Sequence, residues 1–389
     1  AQGMLRLLHH LSELLGRVAG LPGVSLQPAA GAHGELAGLM LFKRWFERRG
    51  EAQRTRILLP DSSHGTNPAS AAVAGFTTTT IASNASGQVD LDALDDSLDD
   101  TVAGVMLTVP NTLGIFEERI LDVTARVHDA GGLCYFDGAN LNAFIGRARP
   151  GDMGADVFHF NLHKTLGTPH GGGGPGSGPI ATTRELEPFL PVPRIAIQGE
   201  TLLWDWDAPD SIGAVHSFFG NVGVALKAYS YLLRLGDGGL REVSGHACLH
   251  ANYLKARLSG DYRCPFDGLC KHEFVLSGRD VGEGVTTLDI AKRLMDYGFH
   301  PPTVYFPLIV PEALMIEPTE TETKETLDRF ADAMLAIAQE AKDDPDRLHR
   351  APVSTPVRRL DQTRAAREPV LTYPFDEPTR ESTSPSGAD

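Results

Sequence analysis

Cysteine is scarce: four residues in 389, at positions 134, 248, 264 and 270. They form no CxxC pair and no disulfide framework, which argues against a zinc ribbon or a dithiol redox motif. A reducing, cytoplasmic setting fits such a chain. Lysine is scarce too, at 8 of the 35 basic residues. No run of about 18 apolar residues occurs, so no membrane span is expected. The opening AQGMLRLLHHLSELLG lacks the basic head and cleavage pattern of a signal peptide. It reads as an amphipathic helix over 1–20. The formal net charge is −15, which argues against nucleic acid or an anionic membrane as a partner. Acidity with few lysines suits a high-salt habitat as well as it suits arginine-rich coding.

The hydrophobic content of 42% is enough for a sizeable core. From Leu21 to Thr183, strand-like and helix-like segments alternate. GVSL, RILLP, TTTTIA, VAGVMLTVP, LCYFD, DVFHF and PIATT read as strands. ILDVTARVHDAGG reads as a helix closed by glycine. This pattern predicts an α/β fold, with a mostly parallel sheet covered by helices on both faces. After Leu190 the pattern loosens, with helices near 222–235 and 240–258. HEFVLS, TTLDIAKRLMDYG, ALMIEPT and a helix over 322–342 then form a smaller C-terminal α+β module. The expected division is a large domain over 21–235, a connecting helix over 236–259, a small domain over 260–350 and an extension over 351–389. The tail DEPTRESTSPSGAD reads as disordered.

Ligands of such sheets sit at the carboxyl ends of the strands, where four stretches fall. PAAGAHG (28–34) precedes a helix, and its small residues and helix start suit a phosphate, or simply a tight turn. PDSSHGTNPAS carries His64, and a lone histidine after a strand is more often structural. YFDGAN puts Asp137 at the end of an apolar strand, where a carboxylate needs a partner. HFNLHKTLGTPHGGGGPG (159–176) carries His163 and Lys164 before a glycine run. Gly171, Gly173 and Gly176 fit G-x-G-x-x-G on paper, but Pro175 and Pro179 interrupt the segment and a strand follows, not a helix. His159 and His163 have a metal-like spacing without a shared helical face, so zinc is not expected. A phosphate turn, a strand-end aspartate, an imidazole and a desolvated lysine together suggest pyridoxal phosphate. That cofactor needs a lysine Schiff base, a carboxylate on its ring nitrogen and a phosphate site. The competing reading of Lys164 is a solvated surface lysine.

DSSHGTNPASAAVAGF, MLTVPNTLGIFEERI, YFDGANLNAFIGRARPGDMGADVFHFNLHKTLGTPHGGGGPGSGPI, HPPTVYFPLIVPEALMIEPTETETKETL and STPVRRLDQTRA closely resemble glycine dehydrogenase (decarboxylating). This is the P-protein of the glycine cleavage system, in particular subunit 2 of its two-gene form. The likeness runs to about Tyr373. It implies a fold-type-I enzyme of this cofactor, with the Schiff base on Lys164 and Asp137 on the pyridine nitrogen. It implies His64 on the pyridine face, Asn140 near the 3′ oxygen, and His163 with Ala30, Gly31 and Ala32 at the phosphate. Asn111 corresponds to a polar residue at the next strand end.

The resemblance further implies the reaction. Glycine loses its carboxylate as CO2, and the aminomethyl group passes to the lipoyl arm of H-protein. A related subunit 1 that lacks the lysine is the expected partner, in a heterotetramer of two dimers. Arg358 and Arg359 are candidates to grip the glycine carboxylate, with a surface salt bridge the favoured alternative. His170, His300 and Thr303 are further candidates, while Glu317 and Glu320 read as caps or braces of the last helix. The glycine run is expected to allow close backbone packing and an adaptable loop. The family carries several tens of residues, with a motif like SCTMKYNP, before the position where this sequence starts. Three alternatives stay open: an aminotransferase, a cysteine desulfurase, or a subunit that binds cofactor without turnover.

Overall fold

The computed structural model describes residues 2–170 and 173–372. Gly171, Gly172 and the tail read as disordered lie outside the described residues. Helix α1 (Gln2–Ala19) buries Leu5, Leu8, Leu11, Leu15 and Ala19, one stripe at helical spacing. Strand β1 (Gly23–Ser25) leads into α2 (Gly31–Arg49). There follow β2 (Arg56–Pro60), α3 (Thr66–Val73), β3 (Thr77–Ile81), α4 (Leu91–Ser97) and β4 (Val102–Thr108). Helix α5 (Ile120–Asp129), β5 (Leu133–Gly138), β6 (Val157–Phe160) and β7 (Ile180–Thr182) complete the main sheet.

The sheet order is β1-β7-β6-β5-β4-β2-β3. Only β7 runs against its neighbours; the other pairs are parallel. Each face carries its own core. One packs Leu11 and Leu15 of α1 and Val123 and Val127 of α5 against the sheet. The other packs Leu39, Phe42 and Phe46 of α2 and Ala71 of α3. Strands buried on both faces explain why VAGVMLT and VFHF are continuous rather than alternating apolar runs.

One feature departs from expectation. The stretch after Leu190 contains a hairpin, β8 (Arg194–Gln198) and β9 (Thr201–Asp205), turning at Gly199. The two helices expected near 222–235 and 240–258 are present: α6 (Val222–Leu258) is two helical segments meeting at a kink at Gly236, whose φ is 60° and ψ −171°. Its first part packs into the main core through Val224, Ala228 and Leu232. Its end packs into a second core through Ala251, Leu254 and Leu258.

That second core belongs to β10 (Phe274–Ser277), α7 (Thr287–Asp296), β11 (Thr303–Val304), β12 (Ala313–Ile316) and α8 (Lys324–Asp343). The three strands are antiparallel in the order β10-β12-β11. The two-residue β11 is too short to leave a periodic signal in the sequence. Short helices α9 (Pro345–His349) and α10 (Gln362–Arg367) end the described chain. Among the described residues, no helix is long and apolar enough to cross a membrane.

Candidate active site

A cavity of about 310 Å³ opens at the carboxyl ends of β4, β5 and β6. His64, Asp137, Asn140 and Lys164 line it together, although exactly these come from three separate loops. Thr303 lines it as well, from the other side. Parallel β2, β4, β5 and β6 deliver their following loops to one edge, which is why residues a hundred positions apart meet.

Asp137 is 1% exposed at the end of β5. Its Oδ2 accepts from Asn67 Nδ2 at 3.1 Å, and its Oδ1 accepts from Ala139 N at 2.9 Å. His159 Nε2 lies 3.4 Å from Oδ1, and Tyr135 Oη sits 2.7 Å from His159 Nδ1. Burial alone would push the Asp137 pKa up. The His159 imidazole, the Asn67 amide and the Ala139 N–H outweigh it, and the carboxyl is held below its usual range. His159, read in the sequence only as a poor metal ligand, is therefore part of the carboxylate's setting. Adjacent parallel strands put it opposite Asp137.

His64 is fixed from its far side. Its Nδ1 is 2.7 Å from Thr66 Oγ1, and the Thr66 N–H also reaches it at 3.2 Å. Thr66 Oγ1 donates to Glu35 Oε1 at 2.6 Å, and Ser70 Oγ donates to Glu35 Oε2 at 2.7 Å. Glu35 is a buried carboxylate on α2 that its own helical context did not mark as special. Phe306 meets the His64 ring edge-on, with centroids 5.8 Å apart.

Lys164 follows β6 in a turn closed by its N–H on Asn161 O and by Gly167 N on Lys164 O. Its side chain is exposed, not desolvated as the sequence suggested. The cavity edge where it stands is open to solvent. Asn140 uses both ends of its amide. Nδ2 donates to Glu317 Oε1 at 2.7 Å, and Oδ1 accepts from Asn142 N and Thr165 Oγ1.

A second group of sequence candidates gathers at the start of α2, apart from the cavity lining. No side chain caps this helix at Ala30, so its first N–H groups receive no cap. Gly31 sits against Asn161, whose Oδ1 is buried without a partner. A Cβ on Gly178 would collide with Ala30 O, and one on Gly176 would press on the His163 ring. The glycines thus serve close packing at these two positions. His163 Nδ1 accepts from Ser177 N at 3.1 Å, which leaves Nε2 to donate. Burial first, then His170 and Lys164 nearby, hold its pKa below the ordinary value.

Other candidates fall elsewhere. Asn111 lines a separate, small cavity and spends its side chain on Gly87 O, Leu113 N and Ile115 N. It shapes its own turn. His170 packs edge-on to His163. His300 lines an adjoining cavity of about 420 Å³, which shares Thr303, Met315 and Glu317 with the first. Arg359 pairs with Asp289 at 2.6 Å and donates to Leu348 O and Ala351 O, the salt-bridge reading, while Arg358 is exposed.

The expectation is corrected for Glu317, and neither it nor Glu320 is the N-cap of the last helix. Thr323 caps α8, its side chain accepting from Thr326 N. Glu317 instead lines the cavity and accepts from Asn140 and Asn142. Two further lining residues, His272 and Glu273, precede β10 and had no strand-end signal, because they approach from the smaller sheet.

Two solved structures share this architecture. Glycine decarboxylase (P-protein) of the glycine cleavage system, in inhibitor-bound form, matches with a TM-score of 0.74 and 22% identity, covering 87% of this chain and 76% of that one. Glutamate decarboxylase from Lactobacillus brevis CGMCC 1306 matches with a TM-score of 0.69 and 13% identity, covering 87% and 80%. The fold is that of the fold-type-I pyridoxal-phosphate enzymes. Residues 243–352 match the family model described as glycine dehydrogenase, C-terminal domain. The probable glycine dehydrogenase (decarboxylating) subunit 2 of Caldanaerobacter subterraneus subsp. tengcongensis is 58% identical over 373 residues, 96% of this chain and 77% of that protein. The chain belongs to the glycine dehydrogenase (decarboxylating) subunit 2 family.

Proposed function

We propose that this chain is the lysine-bearing subunit of a glycine-decarboxylating enzyme that uses pyridoxal phosphate. The observation that carries the reading is one cavity in which Lys164 joins Asp137, His64 and Asn140, in a chain so close to subunit 2 of glycine dehydrogenase. The residues fit the cofactor. Buried polar atoms without partners stand beside two of the candidate contacts: Asn67 Oδ1 and His159 Nε2 next to Asp137, and Asn161 Oδ1 next to Gly31. When bound as a Schiff base, the cofactor supplies an electron sink for the pair released from the substrate α-carbon.

The protein's own groups do the rest. Lys164 would hold the cofactor through its Nζ. Asp137, kept ionised by its partners, holds a proton on the ring nitrogen. His64 supports the ring face, locked in place by Thr66 and Glu35. Asn140 orients the 3′ oxygen. His163 Nε2 and the first N–H groups of α2, at Gly31 and Ala32, bind the phosphate, with Ala30 giving the turn its entry. Asn111 acts at most through its loop. Which bond breaks is a matter of holding the carboxylate bond across the ring plane.

The aminomethyl group then passes to the lipoyl arm of H-protein. Subunit 1 of the split enzyme is the partner we assign, in a heterotetramer, and the compartment we assign is the cytoplasm, which suits four free cysteines. The desulfurase alternative needs a cysteine nucleophile, and none lines the cavity among the described residues. The test is exchange of labelled bicarbonate into the glycine carboxyl, with lipoylated H-protein and subunit 1 present. We expect exchange only when this chain is added. Exchange without it, or keto-acid formation with the carboxylate intact, overturns the reading.

A further inference from the structure

The cavity has an acidic wall that the roles above leave unused. His272, Glu273 and Glu317 bring their polar atoms within 4.8 Å of one another, and all three line the cavity with Lys164. Glu273 and His272 lead into β10, and Glu317 follows β12, so the wall is built by the smaller sheet. Glu317 accepts two amide N–H bonds, from Asn140 at 2.7 Å and Asn142 at 3.1 Å. Glu273 has a side chain 13% exposed and receives no hydrogen bond among the described residues; His272 Nε2 lies 3.7 Å from its Oε1. A partly buried carboxyl without a hydrogen-bond donor from the protein, next to one that has two, is the better placed of the pair to carry a proton.

The reaction proposed above needs such a proton. When the substrate carbon attacks one sulfur of a cyclic disulfide, a C–S bond forms and the S–S bond breaks. The second sulfur leaves with the bonding electrons and has to be protonated to become a thiol. The disulfide is reduced by two electrons and the carbon is oxidised by two. We propose that Glu273 is the general acid that protonates this departing sulfur, and that Glu317 sets the acid strength of Glu273. This inference rests on the proposed function. After the step Glu273 is a carboxylate, and solvent returns its proton once the product has left.

The other groups facing the cavity are poorer donors. Asp137 is held ionised. His64 is tied through Nδ1 to Thr66. Burial, opposed by Glu317 and reinforced by Lys164, holds His272 below its ordinary pKa, so it is neutral. Lys164 is committed to the cofactor. For Glu273, burial and then the Glu317 charge raise the pKa well above the carboxylate range, while Lys164 opposes them. The bias is toward the protonated form, as a proton donor needs.

The experiment has two arms on the full chain. In the first, an infrared difference spectrum between wild type and Glu273→Gln is recorded at neutral pH. We expect a neutral-carboxyl stretch in wild type that is lost in Glu273→Gln and kept in Glu317→Gln. A wild-type spectrum without that band overturns the proposal.

In the second arm, thiol formation on a lipoyl carrier is followed against pH with subunit 1 present. We expect Glu273→Gln to slow it by about 100-fold or more and to lose the alkaline fall of the wild-type profile. In Glu317→Gln, loss of the neighbouring charge makes Glu273 a stronger acid. The alkaline fall then moves to lower pH, a shift that a purely structural role would not produce. Unchanged rates and profiles in both variants overturn the proposal. Failure of bicarbonate exchange in wild type itself overturns the proposed function instead, so the two failures are distinguishable. Cofactor absorbance and melting temperature serve as folding controls; if Glu273→Gln misfolds, the Glu317→Gln shift decides.

Discussion

Two buried polar clusters in this chain are built to opposite standards. In the smaller half, Arg293 is 8% exposed and satisfied on every side. Its Nε and Nη2 clasp Glu340 at 2.8 and 3.0 Å, and its Nη1 reaches Asp296 at 3.0 Å. Glu340 also accepts from Tyr297, and Asp296 accepts from Val353 and Ser354. Around the cavity, by contrast, Asn67, Asn142, His159, Asn161 and His272 each leave a buried polar atom without a partner. Such an atom costs about 1–3 kcal/mol. The first cluster ties the C-terminal extension to α7 and α8. The second holds the atoms that the proposed cofactor would help to satisfy, and on that proposal the contrast separates groups kept for stability from groups kept for chemistry.

The largest effect is expected from Lys164→Ala. Bicarbonate exchange should fall on the order of 10⁴-fold, the scale of removing a reacting group. The melting temperature should hardly move, because the side chain is exposed. Loss of folding in this variant would erase the contrast. Arg293→Met should do the reverse. It strands two carboxylates, so urea unfolding should show a loss of about 3 kcal/mol, with cofactor affinity unchanged.

Gly178→Ala sits between the two clusters. The new Cβ collides with Ala30 O, and overpacking of this kind costs about 1–3 kcal/mol. Cofactor titration should show weaker phosphate binding as well as lower stability. His159→Phe is the mildest. It removes the imidazole behind Asp137 while filling the volume, and cofactor affinity should fall about tenfold, the lower end for a supporting group.

Proton linkage sharpens the comparison further. The folded pKa of Asp137 lies below its unfolded value, near about 3.9, so its stabilisation is present above that value. It is lost as pH falls through the folded value. Glu273 has the opposite sign. Its contribution is full below an unfolded value near about 4.3 and is lost by the time pH has risen through the raised folded value. Unfolding measured against pH should therefore lose an acid-side term in Asp137→Asn and an alkaline-side loss in Glu273→Gln.

The sheet was legible because its signal is local. RILLP, VAGVMLT and LCYFD are apolar runs of strand length, and each stands at the position read for it. The hairpin at 194–205 was missed because it stands partly in solvent, with Ile197 and Leu203 exposed, so no burial pattern marks it. Asn111 shows the converse error. A polar residue at a strand end looks like a ligand contact, yet its amide closes its own turn. For Arg359 the favoured salt-bridge reading stands: it pairs with Asp289.

By itself the sequence determined the strand-end residues: Lys164, Asp137, His64 and Asn140 stand in recognisable stretches, since strand, turn and following residue are written contiguously. Only the tertiary structure decided what supports and faces them. Glu35 reaches His64 through Thr66 across 29 positions, and Glu317 reaches Asn140 across 177. Nothing local in EPTE or HEFVLS foretells those meetings. They depend on how α6 carries the smaller sheet back over the edge of the larger one, and that is set by the packing of two cores along its two segments, which meet at the Gly236 kink.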